Sequence, residues 1–256
     1  MVTLPAVFVS HGSPMMGIED GPAHRFLSNL SKDLPRPRAI LAVTPHWETP
    51  VPTLSSVAHP SLIYDFYGFP RALYQLTYPA PGAPDVAAEA AALLTKAGIG
   101  AELDPERGLD HGTWSPLRLA FPTAEIPIAQ LSVQFGRDAS YHLAVGRALA
   151  PLREQGVLII GSGGATHNLA HWTPRSDVVP DWAQQFEDWL VDVAERGDQA
   201  EAAAWESHAP HGHTAHARDE HFLPFFVAMA AGGGQGRTLH RGFEQGALSM
   251  AAFAWG

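Results

Sequence analysis

The hydrophobic pattern of this chain is a series of short, unbroken apolar runs separated by longer stretches of helical periodicity. Ala6-Val7-Phe8-Val9-Ser10 is such a run and stops at His11-Gly12-Ser13-Pro14, which predicts a buried strand ending in a turn. Ala39 to Val43 predicts a second strand, running into Thr44-Pro45-His46-Trp47-Glu48. Ile126 to Val133 and Val157 to Ile160 predict two more, the last followed by Gly161-Ser162-Gly163-Gly164-Ala165-Thr166-His167. Pro52 to Val57 is a weaker candidate. Between the runs, apolar residues recur with helical spacing. Pro22 to Leu34 places Phe26, Leu27, Leu30 and Leu34 on one face, Pro84 to Ala97 is alanine-rich, and Tyr141 to Arg153 closes at Gly156. Towards the end, Asp181 to Glu195 aligns Trp182, Phe186, Trp189, Leu190 and Val193. Gln199 to Trp205 predicts a short helix, and His221 opens an apolar one through Ala231. Thr238 to Phe243 and Leu248 to Trp255 predict a closing hairpin.

Strand, helix and strand within some forty residues is a βαβ unit, so the first two strands are expected to be parallel with a right-handed crossover. The chain shows no internal repeat and no linker. The expectation is one α/β domain over residues 1–256: a central, mostly parallel sheet flanked by helices, with its site at the carboxyl ends of the strands. Those ends would deliver His11, His46 and His167 to one crevice. His111 follows a turn, in Gly108-Leu109-Asp110-His111-Gly112-Thr113-Trp114, before a helix expected to start near Thr113 or Ser115. Tyr64 to Pro81 is aromatic and rich in glycine and proline, without periodicity, as expected of a long functional loop.

Composition narrows the chemistry. The net charge of −10 argues against nucleic acid or an anionic membrane surface as partner, and no apolar run approaches the length of a membrane span. There is no cysteine, which excludes thiolate metal sites and fits a reducing cytoplasm. Histidine is abundant, 14 against 16 lysines and arginines together, so any transition-metal site must use imidazole and carboxylate. One strand-end histidine usually just hydrogen-bonds a loop. Three in the same position are harder to explain that way. Glu48, Asp110, Ser13 and Thr166 are near enough in sequence to orient such imidazoles.

Other features read more plainly. The glycines at 161–164 lack the lysine of a phosphate loop, and a backbone kept small for close approach by a substrate suits them as well. Neither Ser13 nor Ser162 lies in a nucleophile elbow. His208, His211, His213 and His216 have the spacing of metal ligands but read as a solvated or adventitiously metal-binding polar loop, and His24, His59, His142, His171 and His240 as surface or structural residues. His221 is open from spacing alone: it can cap its helix or bind a ligand, and Glu220 beside it is an alternative oxygen donor.

Six segments together resemble the class III extradiol ring-cleavage dioxygenases, in particular the 4,5-DOPA dioxygenase extradiol group. They are FVSHGSPM (8–15), LAVTPHWE (41–48), YDFYGFPRALYQLTYPAPG (64–82), LDHGTW (109–114), GSGGATHNL (161–169) and EHFLPFFVA (220–228). The resemblance implies that His11, His46 and His221 bind a divalent metal. His167 is implied either as a fourth ligand or as the acid–base group, and His111 as a histidine facing the substrate. It further implies Fe²⁺ for turnover, with Zn²⁺ suited to the same imidazoles, and a small aromatic diol and O₂ as the reaction partners. Ring opening beside the diol would give a semialdehyde, with the loop bearing Tyr64, Phe66, Tyr67 and Phe69 as a wall for the ring. A zinc-dependent hydrolase and a non-catalytic metal-binding protein are the alternative readings of the same residues.

Overall fold

A computed structural model describes residues 2–173 and 176–256. Its strands are β1 (Ala6–Ser10), β2 (Ala39–Thr49), β3 (Thr53–Ser55), β4 (Glu102–Asp104), β5 (Ile128–Gln134), β6 (Val157–Gly163), β7 (Gly236–His240), β8 (Phe243–Glu244), β9 (Leu248–Ser249) and β10 (Ala252–Trp255). Eight of them form one sheet in the order β4-β3-β5-β2-β6-β1-β10-β7. Its centre, β5-β2-β6-β1, is parallel throughout. The edges turn antiparallel at β3 against β5 and at β10 against both β1 and β7. The closing hairpin expected from the sequence is the β7–β10 pair, and β8 with β9 forms a small separate ladder on the way.

Helices cover both faces: α1 (Pro22–Leu30), α2 (Pro84–Lys96), α3 (His111–Ala120), α4 (Ala139–Leu149), α5 (Asp181–Arg196), α6 (Gln199–Ala203), α7 (Trp205–His208), α8 (Gly212–Ala215) and α9 (Leu223–Gly232). Because both faces are buried, β1 and the first halves of β2 and β6 are continuous apolar runs whose alternation sorts them between two cores, while β5 is equally buried but carries Gln130, Ser132 and Gln134. Ala6, Phe8, Leu41 and Val43 join the cluster under α4, α5 and α9. Val7, Val9, Ile40 and Ala42 join the one under α1 and α3. The α9 helix is apolar all round because it lies inside, packed on α4, β6 and β1. No helix among the described residues is long and apolar enough to cross a membrane.

The strand and helix ends differ from the sequence expectation in ways that matter for the site. β6 continues through Ser162 and Gly163 instead of stopping at Ile160. β2 runs on to Thr49, with a register break opposite β5: Thr44 faces Ser132 and the next partnered residue, Glu48, faces Val133. Pro45, His46 and Trp47 are the extra residues, since proline has no N–H to give a ladder, and the bulge throws His46 off the strand. Thus His46 lies in a mid-strand bulge and not at a strand end. The α3 helix begins at His111 itself, because the buried Asp110 side chain accepts the N–H of Thr113 at 3.2 Å and caps it. The helix after His221 starts two residues later, at Leu223 with Pro224 in its first turn.

Candidate metal centre and active site

The carboxyl ends of β1, β2 and β6 open on one side of the sheet, and three histidines meet there. His11 leaves β1 with its backbone N–H donated to the Gly163 carbonyl at 2.9 Å. Gly12 then turns at φ +55°, where a side chain would be strained and would also strike Met250. The His46 bulge is pinned by Arg107, which donates to the His46 carbonyl and to Asp110, each at 3.1 Å. Gly112 makes room for the imidazole, since a Cβ there would lie 2.6 Å from His46 Cδ2. His221 arrives from the other side. Gly164 donates to its carbonyl at 2.9 Å, and a Cβ on Gly163 would lie 2.2 Å from that same oxygen. Gly161 admits the Pro224 carbonyl in the same way. Gly161 and Gly163 are therefore small so that the backbone of residues 221–224 can seat on β6, while Gly163 and Gly164 also line the cavity at this end of the sheet.

The His11 and His46 Nε2 atoms lie 3.2 Å apart. With His221 they present one nitrogen each, all within 4.8 Å of one another, a set able to hold a metal ion. His167 stacks on His221 with ring centroids 3.5 Å apart and planes 8° from parallel. His167, Glu220 and His221 also present one ligand atom each within 4.8 Å of one another. His111 lies against His46, with ring centroids 4.1 Å apart. All five imidazoles open onto one cavity of about 390 Å³, whose apolar wall includes Phe66, Phe69, Leu169, Trp172, Leu248 and Met250. Of the aromatic loop, Phe66 and Phe69 line this cavity; Tyr64 packs on Trp114 and Tyr67 is 92% exposed.

The rings of His11, His46, His111 and His221 each face an oxygen partner with Nδ1. Ser162 Oγ donates to the Gly112 carbonyl and so accepts from His11 Nδ1 at 3.0 Å. Asp65 Oδ1 accepts from His111 Nδ1 at 2.8 Å and from the His111 backbone N–H at 3.0 Å, while its Oδ2 lies 3.4 Å from His46 Nδ1. Glu220 Oε1 is 3.1 Å from His221 Nδ1 and 4.0 Å from His167 Nδ1. With Nδ1 protonated in these rings, Nε2 of His11 and of His46 faces the other as a bare lone pair. That arrangement is repulsive until a cation lies between them, so the donor set fits a divalent metal.

The four residues near in sequence that were expected to orient the imidazoles do other work. Glu48 pairs with Arg218 at 2.8 Å. Asp110 accepts from Thr44 Oγ1 at 2.7 Å and caps α3. Ser13 caps a short helical turn at Met15, and Thr166 donates to the Ala247 carbonyl at 2.6 Å. Asp65 and Ser162 were not anticipated in this role. The only trace of Asp65 in the sequence is its place inside the aromatic loop.

Burial sets the protonation of the site. It pushes the pKa of His11 and His221 well below the usual value, helped by repulsion among the imidazoles. Burial and then His111 lower His46 to about 3, against the opposing pull of Asp65. His167 is lowered chiefly by burial. Burial pushes Asp65 up, but hydrogen bonds from His111 and the charges of His111 and His46 outweigh it and hold the carboxyl at about 2. Neutral imidazoles backed by an anionic carboxylate are ready to donate to a metal at neutral pH.

One expectation fails outright. His216 is not in a solvated loop: α7 and α8 order that stretch, and His216 is buried, stacked on Phe222 at 4.5 Å, with Nε2 at 3.0 Å from the Ala165 carbonyl.

The chain is similar to proteins of known sequence and to a solved structure. The chain is 43% identical to the 4,5-DOPA dioxygenase extradiol of Beta vulgaris, covering 96% of this chain and 94% of that one. It is 37% identical to the protein of the same name from Escherichia coli (strain K12), covering 96% and 93%. A crystal structure of an uncharacterized protein from Escherichia coli K12 superimposes with a TM-score of 0.84 at 33% identity, covering 99% of this chain and all of that one. Residues 5–253 match the family described as the catalytic LigB subunit of aromatic ring-opening dioxygenase. With the match running over nearly its whole length, the chain belongs to the LigB family of aromatic ring-opening dioxygenases.

Proposed function

We propose that this ring-opening dioxygenase cleaves a catechol of the DOPA type, with His11, His46 and His221 holding Fe²⁺ for turnover and Zn²⁺ as an alternative occupant. His167 is the acid–base group and His111 faces the substrate. The observation that carries this reading is the convergence of three imidazoles, each presenting one ring nitrogen within 4.8 Å of the others, with two more histidines beside them, in an apolar cavity. The names of the plant and bacterial relatives support DOPA as substrate and extradiol cleavage as the reaction. The cysteine-free composition supports a cytoplasmic location.

When bound, ferrous iron supplies the place where catechol and dioxygen meet, the electron transfer that dioxygen needs, and the charge that acidifies a catechol hydroxyl. The protein supplies the rest. His167 is held neutral by burial and so is free to accept the proton of that hydroxyl and to return it as the ring opens. His111 has its Nδ1 committed to Asp65, which leaves Nε2 to hydrogen-bond a catechol oxygen. Phe66 stands edge-on to His111, with centroids 5.4 Å apart, and with Phe69 confines the ring and excludes water.

The test is anaerobic loading with Fe²⁺ followed by a panel of catechols including L-DOPA, recording O₂ uptake and the yellow ring-opened product. Stoichiometric uptake with product formation is expected. Absence of uptake with every catechol would refute the proposal. His11→Ala and His46→Ala are each expected to abolish metal binding together with turnover, and retained metal stoichiometry would overturn the ligand assignment.

A further inference from the structure

Asp65 touches two of the site histidines at once, and they come from different elements: His46 from the β2 bulge and His111 from the first turn of α3. We propose that Asp65 is the positioning residue of this site, a carboxylate clamp that fixes how His46 and His111 both present Nε2 to the cavity. The proposal rests on the reading that His46 is a metal ligand.

Three contacts make the clamp. Oδ1 takes both the ring Nδ1 and the backbone N–H of His111, at 2.8 and 3.0 Å, and Oδ2 is left to face His46 Nδ1 at 3.4 Å. A carboxylate can only accept, so both rings are driven to carry their proton on Nδ1. Nε2 of His46 is then bare for a metal, and Nε2 of His111 is bare for a substrate hydroxyl. A neutral amide in this place loses the charge, and its NH₂ end asks the facing nitrogen to be an acceptor, which reverses that tautomer.

The other two members of the metal set show what is particular to Asp65. His11 is backed by a neutral hydroxyl, Ser162, that touches no other histidine ring. Glu220 backs His221 at 3.1 Å but stands 4.0 Å from His167, beyond a hydrogen bond, and is drawn also towards Arg218 at 3.4 Å. Only Asp65, among the described residues, bonds one non-ligand histidine while facing a ligand of the set. It also precedes Phe66, so the clamp fixes the aromatic wall to the metal floor.

The experiment compares Asp65→Asn, Asp65→Glu and Tyr64→Phe with the wild-type protein. The Tyr64 hydroxyl donates to the Leu76 carbonyl at 2.6 Å and ties the same loop without touching a site histidine. Metal affinity is read by Zn²⁺ competition with a chromophoric chelator, ligand geometry by the visible spectrum of the Co²⁺ form, and kcat and KM with Fe²⁺ and a catechol. Asp65→Asn is expected to weaken Zn²⁺ binding about 10–100-fold, to shift the Co²⁺ bands, and to lower kcat more than it raises KM. Asp65→Glu is expected to recover part of the affinity, and Tyr64→Phe to keep all of it.

Wild-type affinity with an unchanged Co²⁺ spectrum in Asp65→Asn would overturn the proposal. So would an equal loss in Tyr64→Phe, which would make Asp65 only a loop latch. Should Asp65→Asn fail to fold, the Co²⁺ spectrum of Asp65→Glu decides: shifted bands support the clamp and unshifted bands refute it. His46→Ala separates the two levels of the argument. If it retains metal, the ligand assignment fails; if it loses metal while Asp65→Asn does not, only the clamp fails.

Discussion

Gly163→Ala tests whether the glycine turn is what brings two of the proposed ligands together. Gly163 is the last residue of β6; its carbonyl accepts the His11 N–H at 2.9 Å, and its Cα faces the His221 carbonyl. An added Cβ would lie 2.2 Å from that oxygen and 3.2 Å from Phe8 Cε2, both in buried surroundings with no flexible chain end to swing aside. The backbone at residue 221 must retreat by roughly 1 Å, at an overpacking cost of about 1–3 kcal/mol. For a chain of this size that lowers Tm by about 2–12 °C. The displacement falls on His221, where metal–nitrogen distances tolerate only about 0.2 Å, so Zn²⁺ affinity is expected to fall at least about tenfold. Thermal melts with and without Zn²⁺, together with equilibrium dialysis, measure both effects. Gly100→Ala serves as control, because nothing lies within 4 Å of its added Cβ and its φ is ordinary. A Gly163→Ala protein with wild-type Tm and wild-type Zn²⁺ affinity would refute the packing argument.

His167→Ala is expected to keep Zn²⁺ affinity within about threefold while turnover falls about 10²-fold or more, measured by dialysis and O₂ uptake; loss of the metal instead would make His167 a ligand. Phe66→Ala opens the cavity wall and is expected to raise KM for a catechol several-fold with metal content unchanged, and an unaltered KM would remove Phe66 from the substrate wall. Acid is expected to destabilise the fold through histidines buried in neutral form, outside the metal set. Burial lowers His142 to about 4 and His216 to about 3, against about 6.5 in the unfolded chain. The unfolded chain therefore binds the extra protons, so stability is complete above pH 6.5 and falls as pH drops towards 4. His142 alone contributes about 3 kcal/mol across that window. Urea midpoints recorded from pH 7.5 to 4 should fall continuously and fall less in His142→Gln, whereas a flat wild-type profile would contradict the burial argument.

Much of this architecture is legible in the sequence because burial imposes local periodicity. Val7 and Val9 face one core and Ala6 and Phe8 the other, so an unbroken apolar run states that both faces of β1 are covered. The glycines and prolines that end such runs place His11 and His167 beyond β1 and β6 without reference to the rest of the chain. Spacing stops being informative where a contact depends on residues distant in the chain. The His46 bulge is defined by its register against β5, some 85 residues on, so the sequence shows a strand ending where the sheet has one continuing. Asp65 and His111 are 46 residues apart, and His11 and Ser162 are 151 apart. Neither pair leaves a repeat or a motif, since a loop carboxylate and a strand serine look the same whether or not an imidazole faces them.

The sequence by itself determined the α/β class, the parallel core and a set of histidines aimed at one crevice. Family resemblance added His221. Only the tertiary structure decided how they are held: the glycines of 161–164 receive the backbone of residues 221–224, and Ser162, Asp65 and Glu220 stand behind the rings. The reason is physical. Burial is a property of each residue and repeats along the chain, whereas the orientation of an imidazole belongs to a pair, and the second member of that pair is chosen by the fold.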